Sequence, residues 1–231
     1  VRLAADGARV AVLDLDPDGA SATVASIRAS GGLAAPFVAD IADFDAVRHA
    51  VAAVAAELGP VAVLVNNAGW DRVEAFVDNT PDLWGRIIDI NLRGAIHVTR
   101  AVLDGMIAAG AGKIVFIGSD AARVGSTGEA VYAACKGGLV AFAKTLAREH
   151  ARHHINVNVV CPGPTETPLL ESITSGPRGA TVIEAIKRSI PFRRLGRPDD
   201  IAGAVAFFAS PDADFITGQV LSVSGGLTMA G

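Results

Sequence analysis

A chain of 231 residues, 51% of them apolar, is long enough to bury one substantial core. Its 20 Lys and Arg against 24 Asp and Glu leave a net charge of −4 with no basic cluster, which argues against nucleic acid as a partner. No uninterrupted apolar run approaches the roughly 18 residues that cross a bilayer, and no basic-then-apolar leader opens the sequence, so no membrane partner and a cytoplasmic setting are expected.

The first residues, Val1 to Asp6, read as the last turns of an amphipathic helix, and Gly7 ends it. The apolar run 9–14 follows as a buried strand with Asp14 at its tip. Further strands are expected at 34–39, 61–66, 112–118, 155–161 and 219–223, separated by helices over 18–30, 43–58, 80–109, 130–152 and 198–209. Strands apolar on both faces, each followed by a helix, mean a parallel sheet covered on both sides. The fold class expected is α/β, a Rossmann-type doubly wound parallel sheet flanked by helices, in one domain spanning 1–231. Residues 162–197 break this rhythm with five prolines and a weak helical pattern near 181–189. A long irregular insertion past a strand's carboxyl end is where such folds keep a substrate-binding loop. Cys135 and Cys161 read as small reduced core residues, the histidines as surface or structural groups, and no Cys/His cluster has metal-ligand spacing, so no metal is expected.

A dinucleotide-binding unit runs from a strand through G-x-G-x-x-G into a helix, with an acid at the tip of the next strand about 20 residues later. Asp14 fits that acid, but counting back passes the first residue, and no G-x-G-x-x-G occurs elsewhere. A sequence that opens on Val and on the end of a helix is therefore expected to be N-terminally truncated, lacking the fold's first strand and glycine loop. Two strand edges, at 9–14 and 61–66, should then lack a neighbour, and the residues present should hold a dinucleotide weakly.

The chemistry concentrates in "IGSDAARVGSTGEAVYAACKGGLVAF". It holds the single tyrosine, Tyr132, and Lys136 four residues on, a spacing that puts both side chains on one helix face. Ser119 lies just past the strand 112–118, at the end of the sheet where active sites collect. A free phenol titrates near 10, and a neighbouring ammonium lowers that value, so Tyr132 is expected to exchange a proton with an alcohol or ketone oxygen that Ser119 holds.

With "NNAG" at 66–69, "NLRG" at 91–94, "PGPTET" at 162–167, "GRPDDIA" at 196–202 and "TGQVLSVSGG" at 217–226, the chain resembles the short-chain dehydrogenase/reductase family along nearly its whole length. The resemblance implies Tyr132 as acid/base, Lys136 as the group that lowers its pKa and bonds the nicotinamide ribose, and Ser119 as the holder of the substrate oxygen. It implies Asn91 as the helix asparagine whose backbone holds a relay water. Asn67, Ala68 and Gly69 would pack along the cofactor, with Asn67 also tying the sheet together. Pro162, Gly163, Thr165 and Thr167 would meet the nicotinamide amide, and Asp40 the adenine. Asp14, followed by Leu15 rather than Arg, implies NAD, because a carboxylate bonds the ribose 2′-hydroxyl and repels a 2′-phosphate. Ser224 stands where an Asp is common in the family's tail, and Cys135 where a Ser is usual.

Within the family, "SDAARVGSTGEAVYAACKGGLVAF", "KTLAREHARH", "NVVCPGPT" and "VLSVSGGLTM" resemble the dehydrogenases of alicyclic acyl-CoA thioesters in aromatic and alicyclic acid degradation. That implies NAD-dependent oxidation of a β-hydroxyacyl-CoA, with Arg123, Arg178, Lys187 and Arg188 as candidates for the CoA phosphates. Two alternatives stay open: a 3-oxoacyl-(acyl-carrier-protein) reductase using NADPH, and a non-catalytic subunit that pairs with a full-length homologue. The broad apolar patterns over 80–109 and 130–152, with the family's habit, imply a homotetramer.

Overall fold

The computed structural model of the chain describes residues 1–176 and 179–230. Its six strands form parallel ladders where the apolar runs place them, with ends moved by a residue or two. Strand β1 (Arg9–Asp14) pairs with β2 (Leu33–Val38), and β3 (Val63–Asn66), β4 (Gly112–Ile117), β5 (Ile155–Pro162) and β6 (Val220–Val223) pair in that order. Among the described residues the strands thus form two ladders: β1 pairs only with β2, and β3 only with β4, so each keeps one unpaired edge, as expected at 9–14 and 61–66.

The helices start where short polar side chains can take up free N–H groups. After the short α1 (Arg2–Ala5), α2 (Pro17–Ala29) opens on Asp16, which accepts from Asp18, with Pro17 at the first position. Asp43 does the same for α3 (Phe44–Leu58), and Thr80 for α4 (Pro81–Ile88). The long pattern 80–109 is not one helix: a π-helical turn (Asp89–Arg93) separates α4 from α5 (Gly94–Ala109). A four-residue turn, α6 (Ala121–Val124), precedes α7 (Ala130–His150). The interval 162–197 contains α8 (Pro168–Ile173) and α9 (Gly179–Ser189), and α10 (Pro198–Ala209) follows.

The core has two sides. Phe116, Val157 and Val159 on the strands pack with Val102, Met106, Leu139 and Ala143 of α5 and α7. On the opposite face Val115 and Val160 pack with Val205 and Phe208 of α10. Within each ladder the strands run parallel, so the loops after their carboxyl ends leave from one side.

Two helix glycines separate packing from propensity. A Cβ on Gly94 would lie 2.5 Å from Cγ1 and Cδ1 of Ile41, whereas a Cβ on Gly85 meets nothing within 4 Å. Gly94→Ala should lower unfolding free energy by about 1–3 kcal/mol in a denaturant titration. Gly85→Ala should raise it by up to about 1 kcal/mol.

Candidate active site

The site is built from four segments. Strand β4 ends at Ile117, and its carbonyl accepts a hydrogen bond from Lys136 Nζ at 3.0 Å. Lys136 lies on α7, 2% exposed, and its Nζ stands 5.5 Å from the centre of the Tyr132 ring. The loop after β3 passes beside it at Gly69, where a Cβ would fall 3.3 Å from Lys136 Nζ and 3.1 Å from Asn91 Oδ1. Asn91, in the π turn and fully buried, donates to the carbonyls of Trp70 (2.6 Å) and Ile87 (2.9 Å) and accepts from the Trp70 N–H (3.2 Å). One asparagine thus pins the strand loop to the helix, and a side chain at position 69 would crowd both the Asn91 amide and the ammonium.

Burial governs the electrostatics. It pulls the Lys136 ammonium down to about 8. It also pushes the Tyr132 phenol well above its ordinary value, with the Ser119 hydroxyl pulling the other way and the charges of Glu129 and Asp71 adding to the rise. Loss of water around the phenol is thus the largest influence on Tyr132, in the opposite sense to the lowering expected from Lys136. Ser119 also accepts from the Ala121 N–H at 3.1 Å, which fixes its oxygen at the end of β4.

The residues expected to meet a cofactor lie past the carboxyl ends of successive strands. Asp14 ends β1, is exposed, and accepts from the Asp16 N–H at 3.0 Å. Asp40 lies just beyond β2, exposed, and accepts from Ala42 at 2.8 Å. Asn67, Ala68 and Gly69 follow β3 with their surfaces open. Pro162 closes β5, and a Cβ on Gly163 would press on Ser224 at 2.7 Å. Thr165 donates to the Gly163 carbonyl at 2.8 Å, and Thr167 caps α8 through the Leu170 N–H at 3.3 Å. A cradle with no side chain at Gly69, flanked by a buried ammonium, fits the ribose end of a nicotinamide cofactor.

Several expectations are corrected. The inward-facing asparagine is Asn66, not Asn67: Asn66 is buried and ties β3 to α5 by donating to Thr99 Oγ1 at 3.1 Å, while Asn67 is exposed. Arg123 is not free for a CoA phosphate, because its guanidinium donates to Ser222 Oγ at 2.7 Å and to the Ala230 carbonyl. Lys187 pairs with Glu184 at 3.0 Å along α9, where Arg188 is exposed. Arg178 lies outside the described residues. The sequence reading missed Asp71, a 5%-exposed carboxyl in the loop after Gly69 with both oxygens shut off from solvent. A single acid in a loop carries no periodic signal that would have marked it as buried.

Burial pushes the Asp71 carboxyl up to about 6, from 3.8 when exposed. The folded chain therefore holds this proton more tightly than the unfolded chain, and through this group stability falls as pH rises from about 4 to about 6. The loss is on the order of 2–3 kcal/mol at neutral pH. Asp71→Asn should be more stable than the native chain at pH 7.5 and lose most of that advantage near pH 4, measured by denaturant unfolding at each pH.

A family model described as enoyl-(acyl carrier protein) reductase matches residues 1–228. The chain is 38% identical over 238 aligned positions to a (3R)-3-hydroxyacyl-CoA dehydrogenase of Canis lupus familiaris, covering 99% of this chain and 90% of that one. It is 34% identical to a 3-oxoacyl-(acyl-carrier-protein) reductase of Thermotoga maritima, covering 98% and 90%. Among solved structures, a gluconate 5-dehydrogenase from Burkholderia cenocepacia in complex with NADP and tartrate superposes with a TM-score of 0.92 at 34% identity, covering all of this chain and 89% of that one. With the Tyr–Lys helix set against a strand-end glycine, these likenesses lead to one conclusion: the chain belongs to the short-chain dehydrogenase/reductase family of oxidoreductases.

Proposed function

We propose that the chain oxidises the secondary alcohol of a β-hydroxyacyl-CoA to the ketone with NAD, and that 2-hydroxycyclohexanecarboxyl-CoA is the kind of substrate it takes. The observation that carries this reading is the meeting of Lys136, Asn91 and Gly69 beside Tyr132. Bound NAD supplies the hydride acceptor. Tyr132 takes the hydroxyl proton as the carbon–hydrogen bond breaks, and Ser119 holds the same oxygen by a hydrogen bond. Lys136 bonds the ribose and supplies the positive charge that favours the phenolate. The side chain of Asn91 is committed to Trp70 and Ile87, which leaves its π-turn main chain to hold a relay water. Asp14 selects NAD by repelling a 2′-phosphate, and Asp40 and the segment from Pro162 to Thr167 complete the cofactor's contacts. Residues 162–197, with α8 and α9, cover the substrate. The acyl-CoA class is supported by the 3-hydroxyacyl-CoA dehydrogenase relative. Assembly as a homotetramer through α5 and α7 belongs to the same reading.

One observation favours the reverse direction. A phenol held protonated by burial is ready to donate, as a 3-oxoacyl thioester reductase requires, and such a reductase is among the relatives. The two readings separate on cofactor. With a cyclic β-hydroxyacyl-CoA, NADH should form faster with NAD than NADPH does with NADP, and Tyr132→Phe should lower kcat at least about 10²-fold. Undiminished turnover by Tyr132→Phe would overturn the assignment of Tyr132. A preference for NADPH in the reverse assay would replace the dehydrogenase with the reductase. A folded chain silent with both cofactors would favour a non-catalytic subunit.

A further inference from the structure

We propose that Arg123 is a positioning residue for the substrate: it clasps the segment 224–230 to the turn that begins at Ser119, and through that segment it holds the substrate cover, residues 162–197, in place. This rests on the reading of 162–197 as the cover.

The clasp is a chain of hydrogen bonds between parts of the sequence about a hundred residues apart. The Arg123 guanidinium donates one prong to Ser222 Oγ on β6, at 2.7 Å, and the other to the Ala230 carbonyl. The Ser222 hydroxyl in turn donates to Asp120 Oδ1 at 2.5 Å. Asp120 is 5% exposed and directly follows Ser119. A guanidinium presents its donors in a fixed fork and can hold two acceptors at once. Here the fork spans a strand and the loop beyond it.

The segment held in this way meets the cover at both of its roots. At the first, the Gly163 N–H donates to the Val223 carbonyl at 3.1 Å, and Gly163 lies against Ser224. At the second, the Phe192 N–H donates to the Gly225 carbonyl at 3.2 Å. Gly225 and Gly226 have φ of +62° and +88°, and a Cβ on them would fall 2.9 Å from Ile190 Cγ2 and 3.1 Å from Pro191 Cγ. Glycine is called for there twice over, by the backbone conformation and by the closeness of the cover.

The two sides of the clasp do not depend on it equally. The Ser119 turn has holds of its own: the Asp120 N–H donates to the Pro162 carbonyl at 3.2 Å, and the Ala121 N–H to Ser119 Oγ at 3.1 Å. The segment 224–230 has fewer. Thr228 bonds Ser224 within it and is its one buried residue, and Met229 is 84% exposed. Loss of Arg123 therefore frees the segment, and the cover with it, while Ser119 stays in place. The effect falls on substrate binding and not on the chemical step.

The chain has two methionines, and they separate a local effect from a global one. Met106 is 0% exposed in the core, and Met229 lies in the clasped segment, its Cε 3.5 Å from a Cβ on Gly226. In a chain labelled with carbon-13 at the methionine methyls, Arg123→Leu should shift and narrow the Met229 resonance and leave Met106 unchanged. Trypsin should cut α9 after Lys187 and Arg188 at least about fivefold faster in this variant. In the oxidation assay KM for the acyl-CoA should rise at least about fivefold with kcat within about threefold of the native value. An unmoved Met229 overturns the proposal. So does a Met229 that moves while cleavage and KM stay native, the outcome for an arginine that merely braces the fold. Should Arg123→Leu fail to fold, Arg123→Lys decides by the same readouts: one ammonium cannot reproduce the fork, so smaller changes of the same sign are expected, and native behaviour in all three contradicts the clasp. If the dehydrogenase reading fails instead, the native chain shows no turnover while Met229 and the cleavage rate still respond to Arg123, so the two failures are distinct.

Discussion

The ammonium of Lys136 sits 2% exposed against the carbonyl of Ile117, and most of the local architecture follows from keeping it there. A buried cation needs an oxygen that its own helix cannot offer, and the end of β4 provides one. It needs open space on its other side, and Gly69 provides that by having no side chain. The loop bearing Gly69 must not drift, and Asn91 holds it through both the N–H and the carbonyl of Trp70. The π turn that presents Asn91 interrupts an otherwise continuous helical stretch, a conformation uncommon enough to mark a place where regular helix would not serve.

Opposed electrostatic effects meet at this point. Burial disfavours charge on both members of the Tyr–Lys pair, lowering the lysine and raising the phenol. Such a pair is biased towards a protonated phenol, beside an ammonium that gives up its proton more readily than a solvated lysine does. Acidic groups on the Asp71 and Glu129 side strengthen that bias, and the Ser119 hydroxyl weakens it. Whether the site takes or gives a proton is thus set by several groups of modest effect and not by the lysine alone.

Much of this was legible in the sequence. Runs such as 112–118 and 155–161 are apolar at nearly every position, and only a sheet covered on both faces calls for that. Asp16, Asp43 and Thr80 announce helix starts by residue type. The four-residue interval from Tyr132 to Lys136 fixes a common helix face whatever the tertiary structure. What stayed hidden depends on contacts between distant segments. The π turn inside 80–109 leaves the apolar pattern unbroken. Which of two adjacent asparagines points inward depends on Thr99, 33 positions away from Asn66. Arg123 looked available because its partners, Ser222 and Ala230, are about a hundred residues on. Asp71 was invisible because nothing local distinguishes a buried loop acid from a solvated one. The unpaired edges of β1 and β3, by contrast, were expected from the sequence, and the two separate ladders have them.

If a buried ammonium organises the site, its titration must show it. The chain has four lysines, so labelling lysine Cε with carbon-13 gives a spectrum in which each can be followed with pH. One resonance, identified by its loss in Lys136→Met, should titrate near pH 8. A Lys136 resonance titrating near the ordinary value of about 10.4 would mean that its ammonium meets water, and the arrangement of Ile117, Gly69 and Asn91 around it would lose its physical basis.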